Sequence, residues 1–331
     1  MPLHPVIADA LAAAAGQPSY DRLPLAEARA QAMQPYLRSN APAVPVASVR
    51  DTTLPGPGGQ SIPVRVYLPH GAGPFPVTVF LHGSGFVLLG LDSHDRLCRQ
   101  LCAGAECAVV SVDYRLAPEH RFPAASDDCL AAVRWVRRNA QALSIDPERI
   151  ALAGDSAGAC LSAVTCARLC DAGEPQVCAQ LLFYPVTNYP LPLPDSYGQF
   201  SEGYGLTAAG MHWFWDQYLR GPQDRSHPWA SPLRAASLAG LPPTYVAVAE
   251  FDVLRDEGEA YARRLKGEGI PVLAHRAAGM NHGFLKYSGR IAEVDQEIRE
   301  ACAWLHTVLE ARRQRQEPTP SPASKPGNSH A

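Results

Sequence analysis

No apolar run in this 331-residue chain reaches the length of a membrane span. The apolar stretch from Val6 to Ala15 contains Asp9 and has no Lys or Arg before it, so it does not read as a signal peptide. An excess of either charge is also missing. The net charge is −3 and the pI about 6.4, which gives no general attraction to nucleic acid or to an anionic membrane. Charged residues are scarce at 18%. The nine cysteines show no paired Cys-x-x-Cys spacing, which argues against a zinc site. Cys98/Cys102 and Cys166/Cys170 stand four apart on expected helices, where small buried thiols fit, so reduced core cysteines in a cytoplasmic protein are expected. Proline (31) and glycine (26) are plentiful and predict long loops, and 47% hydrophobic residues suffice for one large α/β domain with a smaller addition.

The pattern of short apolar runs separated by helical segments fixes the fold class. Val77 to Leu81, Ala108 to Val112, Ile150 to Ala153, Gln180 to Phe183 and Tyr245 to Ala249 read as strands buried on both faces, with Val272 to Ala274 as a last strand. Ser126 to Ala142 and Ala157 to Cys170 read as crossover helices, and Ile291 to Arg313 as a terminal helix. Val49 to Thr53 and Val64 to Leu68 flank a Pro-Gly-rich turn and predict an antiparallel start. The fold class expected is α/β, a mostly parallel central sheet flanked by helices. From Thr187 to Pro232 the strand pattern stops. That insertion carries Met211, Trp213, Phe214, Trp215 and Tyr218 on an expected helix, Thr207 to Leu219, and should sit over the carboxyl ends of the strands.

The chemistry starts at Gly154-Asp155-Ser156-Ala157-Gly158. An apolar strand precedes it and a helical run follows, the context of a nucleophile elbow. Gly154 and Gly158 leave room for a bend that bulkier residues would obstruct, and the helix start aims partial positive charge near Ser156. A serine hydroxyl needs a base, an orienting acid and donors for the developing oxyanion. Asp252 follows the strand ending at Ala249 and fits the acid; Glu250 and Asp256 compete but read as structural. His282, followed by Gly283, fits the base better than His275, within a strand, or His306, within a helix. The strand Val77 to Leu81 ends in His82-Gly83-Ser84-Gly85-Phe86, whose small residues leave amides free. The oxyanion donors are therefore assigned to the N–H groups of Ser84, Gly85 and Ala157. His82, Gly83, Gly154, Asp155 and Gly158 support these motifs, and Phe86, Tyr184, Tyr189 and Phe214 are candidates for lining a substrate pocket.

These segments, together with Asp113-Tyr114-Arg115-Leu116-Ala117-Pro118-Glu119-His120 and Asp252 to Gly258, resemble the bacterial hormone-sensitive lipase family of esterases, its GDSAG type. The resemblance implies an α/β-hydrolase fold with a two-part helical cap. Residues 1–48 would form the N-terminal cap helices, 49–186 and 231–313 the hydrolase core, 187–230 the cap insertion and 314–331 a disordered tail. It implies a serine carboxylesterase for small-molecule esters of short to medium acyl chain, working as a homodimer often built on the last strands and needing no metal or organic cofactor. An amidase, lactonase or aryl formamidase is the alternative; a non-catalytic ligand-binding relative is the remote one. Two departures stand out. Ser84 replaces the family's usual Gly, and Asn281 stands before the base where an apolar residue is usual. The Tyr114 to His120 motif offers no reacting group and reads as a structural turn beneath the oxyanion loop.

Overall fold

The apolar runs do become strands. The computed structural model describes residues 2–37, 43–83 and 85–314. The tail expected from residue 314 therefore lies outside the described residues, except Gln314, which ends the last helix. The strands are β1 (Ser48–Pro55), β2 (Ser61–Leu68), β3 (Phe75–Leu81), β4 (Ala108–Val112), β5 (Ile145–Asp155), β6 (Ala179–Phe183), β7 (Thr244–Phe251) and β8 (Val272–Asn281). The helices are α1 (Pro5–Ala13), α2 (Leu25–Leu37), α3 (Asp95–Gly104), α4 (Ala124–Arg138), α5 (Ala140–Leu143), α6 (Ala157–Asp171), α7 (Asp195–Gln199), α8 (Ala208–Tyr218), α9 (Arg255–Gly267) and α10 (Ala292–Gln314). None of the described helices is long and apolar enough to cross a membrane.

All eight strands join one sheet in the order β1-β2-β4-β3-β5-β6-β7-β8. β1, β2 and β4 pair antiparallel, as the turn-rich start predicts, and every later pairing is parallel. Alternate residues of the inner strands feed two cores. Val77, Val79, Leu81, Ile150 and Leu152 pack with α4 and α6, whereas Phe80, Ala151 and Ala153 pack with α3 and α10. That two-sided burial is why these strands read as continuous apolar runs.

Two segments differ from the sequence expectation. The helix expected over Ser126 to Ala142 is broken at Asn139, whose N–H and Nδ2 both bond the Trp135 carbonyl at 2.9 Å and end α4. The last strand runs seven residues beyond Ala274. β8 is an edge strand with several half-exposed positions, among them His275 and Arg276, so no apolar run marks it.

Register places the site. Leu81 pairs with Gly154, Asp155 with Phe183, and Phe251 with Asn281, so the carboxyl ends of β3, β5, β6, β7 and β8 lie along one edge. The residues just beyond them are 82–86, 156, 184, 252 and 282.

Candidate active site

Ser156 occupies the turn between β5 and α6 with φ 53° and ψ −119°, a backbone region that side chains other than glycine rarely adopt. Its neighbours hold it there. The Ser156 N–H donates to the Phe183 carbonyl at 2.8 Å, and its own carbonyl accepts from Cys160 N at 3.1 Å. A Cβ on Gly158 would run into the Leu81 carbonyl, and one on Gly154 would run into the Gly158 backbone. We expect Gly158→Ala to lower stability by about 4 kcal/mol or more. In a thermal melt that is a fall in Tm of about 10 °C or more; an unchanged melt would mean the elbow is less tightly packed than these contacts imply.

Asp252 follows β7 and is 2% exposed. Its Oδ1 accepts from the Leu254 N–H at 2.9 Å, and its Oδ2 lies 2.7 Å from His282 Nδ1. A carboxylate can only accept, so Nδ1 carries the proton. That leaves Nε2 as an acceptor, and it lies 2.9 Å from Ser156 Oγ. Gly283, at φ 70°, turns the chain immediately after the imidazole. Glu250 and Asp256 do structural work, as their positions suggest: Glu250 Oε2 accepts from the Gly279 N–H, and Asp256 takes the Ser196 N–H and Arg255 Nε. His275 bonds Tyr245 and Glu297, and His306 faces the Ala105 carbonyl.

The loop after β3 approaches the elbow. Ser84, one of three assigned donors, lies outside the described residues. Gly85 has φ 57°, and a Cβ there would overlap the Phe214 ring. Ala157 is the first residue of α6, so its N–H has no acceptor within the helix. Asp155 clamps the loop to the elbow: its Oδ1 accepts the Gly83 N–H at 2.7 Å and lies 3.1 Å from His94 Nε2. Burial alone would raise this carboxyl; His94 and the Gly83 amide outweigh it and hold Asp155 below the usual carboxylate range. His82 is fully buried and stacked on Tyr114 at 4.4 Å, and burial pushes its imidazole down to about 3, so it stays neutral. The Tyr114 hydroxyl donates to the His82 carbonyl at 2.7 Å, and Ala117 N donates to the Phe86 carbonyl at 2.9 Å. The Tyr114 to His120 segment thus props the loop from below.

The pocket candidates separate into two pairs. Tyr184 sets its ring edge-on to His282 at 4.9 Å and reaches Asp155 Oδ2 with its hydroxyl at 3.3 Å. Phe214 lies against Gly85 and Tyr20. Phe86, by contrast, is stacked on Tyr218 at 3.8 Å, and Tyr189 packs between Trp215 and the Arg225 guanidinium.

Four residues make bonds that sequence reasoning does not foresee. His94 and its neighbour Ser93, at 2.8 Å from His94 Nδ1, carry no motif. Asn281 donates Nδ2 to the Tyr204 carbonyl at 2.8 Å, tying the residue before the imidazole to the 187–230 segment, which accounts for a polar residue there. Glu257 sits among the residues that carry the family resemblance yet offers no sequence clue to its bonds. It is 2% exposed and its Oε1 accepts from the N–H groups of Thr187 and Asn188 at 2.7 and 3.1 Å. Burial pushes its carboxyl up to about 8, against those two bonds. Between the ordinary carboxylate range and pH 8 the folded chain therefore holds a proton that the unfolded chain releases, so this group lowers stability as pH rises through that window. Glu257→Gln, neutral throughout, should gain stability relative to the parent from pH 5 to pH 8, read as a growing difference in Tm. A constant difference would mean Glu257 is ionised when folded.

Comparison with known proteins agrees with this fold. A family model described as the alpha/beta hydrolase fold matches residues 78–286. The carboxylic ester hydrolase LipN of Mycobacterium tuberculosis is 46% identical over 243 residues, 72% of this chain and 64% of LipN. The ethyl acetate hydrolase of Pseudomonas putida is 38% identical over 76% of this chain and 80% of its own length. Among solved structures, a hyperthermophilic esterase from Pyrobaculum calidifontis superimposes with a TM-score of 0.89 at 40% identity, covering 94% of this chain and all of the other.

Proposed function

The chain belongs to the α/β-hydrolase family, of the hormone-sensitive lipase type, and is a carboxylic ester hydrolase; we propose that it cleaves short- to medium-chain acyl esters through a Ser156-His282-Asp252 triad and an acyl-enzyme. The observation that carries the triad is one hydrogen-bonded line, Asp252 to His282 at 2.7 Å and His282 to Ser156 at 2.9 Å.

In this mechanism Ser156 Oγ attacks the ester carbonyl while His282 Nε2 takes its proton. Asp252 stabilises the imidazolium and keeps the ring oriented. The N–H groups of Gly85 and Ala157, with that of Ser84, hold the tetrahedral oxyanion. The carbon–oxygen bond to the alcohol then breaks and His282 returns its proton to the leaving oxygen. Water repeats the cycle on the acyl-enzyme, and the acid leaves as Ser156 regains its proton.

In the same reading α1, α2 and the 187–230 segment act as a two-part cap. Supporting contacts are Phe214 on Gly85, the Asn281 bond to Tyr204, and Arg29 of α2, whose Nε donates to the Val87 carbonyl at 3.0 Å. A homodimer across β8 also belongs to this reading, supported by β8 lying at the sheet edge. A series of nitrophenyl esters from acetate to palmitate tests the substrate class. Maximal kcat/KM should fall at short to medium chains; a maximum at palmitate would contradict the proposal.

A further inference from the structure

Tyr184 follows β6 with φ 38°, a backbone region that a residue with a side chain occupies only when its surroundings force it. Both flanks are pinned. Its N–H donates to the Ala247 carbonyl of β7 at 2.6 Å, and two residues on, the Val186 N–H donates to the Ser156 carbonyl at 3.3 Å. Strain held in this way clusters where a side chain has to be aimed. The side chain aimed here is 2% exposed, which leaves it almost no surface to offer a substrate. Its ring meets His282 at 4.9 Å and 65°, and Phe284 at 5.1 Å and 70°. Its hydroxyl donates to Asp155 Oδ2 at 3.3 Å, on the carboxylate whose other oxygen takes the Gly83 N–H.

The His282 imidazole needs such a contact. Its bonds to Asp252 and Ser156 are made at the two ring nitrogens, and both are best aligned in the ring plane. Tipping the ring about the line through those nitrogens moves neither of them, so neither distance opposes the motion; only the alignment suffers. Gly283, next in the chain, has no side chain to brace the ring. A second ring set across the imidazole resists the tipping by contact.

We propose that Tyr184 is a positioning residue: a strut anchored on Asp155 that fixes the tilt of the His282 imidazole and so aims Nε2 at both oxygens it serves, Ser156 Oγ and the oxygen of the leaving alcohol. This rests on the Ser156-His282-Asp252 reading above. Tyr184 takes no part in bond making, and it moves from a candidate pocket wall to a support of the base.

Two acetates test it. Nitrophenolate leaves an ester as the anion, whereas ethoxide leaves only with a proton, which His282 Nε2 must deliver. A tilted imidazole therefore harms nitrophenyl acetate once, at the attack of Ser156, and ethyl acetate twice. Rates are taken per active site, counted by fluorophosphonate uptake, so that any unfolded fraction drops out. Tyr184→Leu, which removes the ring, should lower kcat/KM about tenfold for nitrophenyl acetate and about a hundredfold for ethyl acetate. Tyr184→Phe keeps the ring and loses the anchor on Asp155; it should lose about threefold on ethyl acetate and almost nothing on nitrophenyl acetate. Equal losses on the two esters mean a merely structural role, and a greater loss on the bulkier nitrophenyl ester means a pocket wall; either overturns the proposal. Parental rates in Tyr184→Leu overturn it, as does a parent that hydrolyses nitrophenyl acetate but not ethyl acetate, since Nε2 then delivers no proton. If Tyr184→Leu does not fold, Tyr184→Phe decides alone, and parental rates on both esters overturn the proposal. In each of these outcomes the triad stands as long as the parent takes up fluorophosphonate on Ser156. A parent labelled elsewhere overturns the triad and the strut together.

Discussion

Ser156→Ala should lower kcat for nitrophenyl acetate by about a million-fold and leave the melting temperature close to that of the parent. The loss is large because the three side chains act as one unit. Without Oγ there is no atom for His282 Nε2, at 2.9 Å, to deprotonate. His282→Ala should cost about the same, and combining the two should cost little more. The fold should tolerate the change, since the backbone at 156 is held by the Phe183 carbonyl and the Cys160 amide rather than by the hydroxyl. Kinetics with a melt on the same samples checks this. More than a few per cent of the parental kcat in the alanine variant would mean that the nucleophile lies elsewhere.

The second large effect concerns a change of one atom. Asp252→Asn preserves volume and leaves an oxygen to take the Leu254 N–H, as Oδ1 does now at 2.9 Å. The other position becomes an NH₂ facing His282 Nδ1, which must then accept instead of donate. The imidazole proton moves to Nε2, the nitrogen that has to take the Ser156 proton. A loss in kcat of about ten-thousand-fold is expected from that tautomer reversal. Stability should change far less, because the packing is retained. A loss below about tenfold would show that Asp252 does not set the tautomer, and Glu250 or Asp256 would need reconsideration.

How much of this could be read from the sequence follows from which interactions are local. Inner strands such as Val77 to Leu81 and Ile150 to Ala153 face a core on each side, so their burial is written as unbroken apolar runs. β8 beyond Ala274 is not written that way, because an edge strand can expose His275 and Arg276 and is held by its backbone ladder to β7. Ser156 and Asp252 each follow a readable strand, and His282 stands out because Gly283 follows it and the other two histidines after Asp252 fall within expected elements; the imidazole does lie within hydrogen-bond reach of both other side chains. The clamp on the loop after β3 was not legible. His94 and Asp155 meet only after the sheet forms, and nothing local to His94 marks it. Asn281 is similar: its reason is a carbonyl 77 residues away at Tyr204. Phe214 and Tyr218 stand one turn apart on the same face of α8 yet meet different partners, Gly85 and Phe86, a division set by tertiary contacts alone.

In the proposed mechanism Ser156 Oγ is the atom that becomes acylated. A fluorophosphonate reacts with an activated serine and stays attached, so peptide mapping by mass spectrometry after labelling gives a direct answer. A single adduct is expected on the peptide containing Ser156, formed in step with loss of esterase activity and greatly slowed in His282→Ala. An adduct on another residue, or full inactivation with Ser156 unmodified, would contradict it.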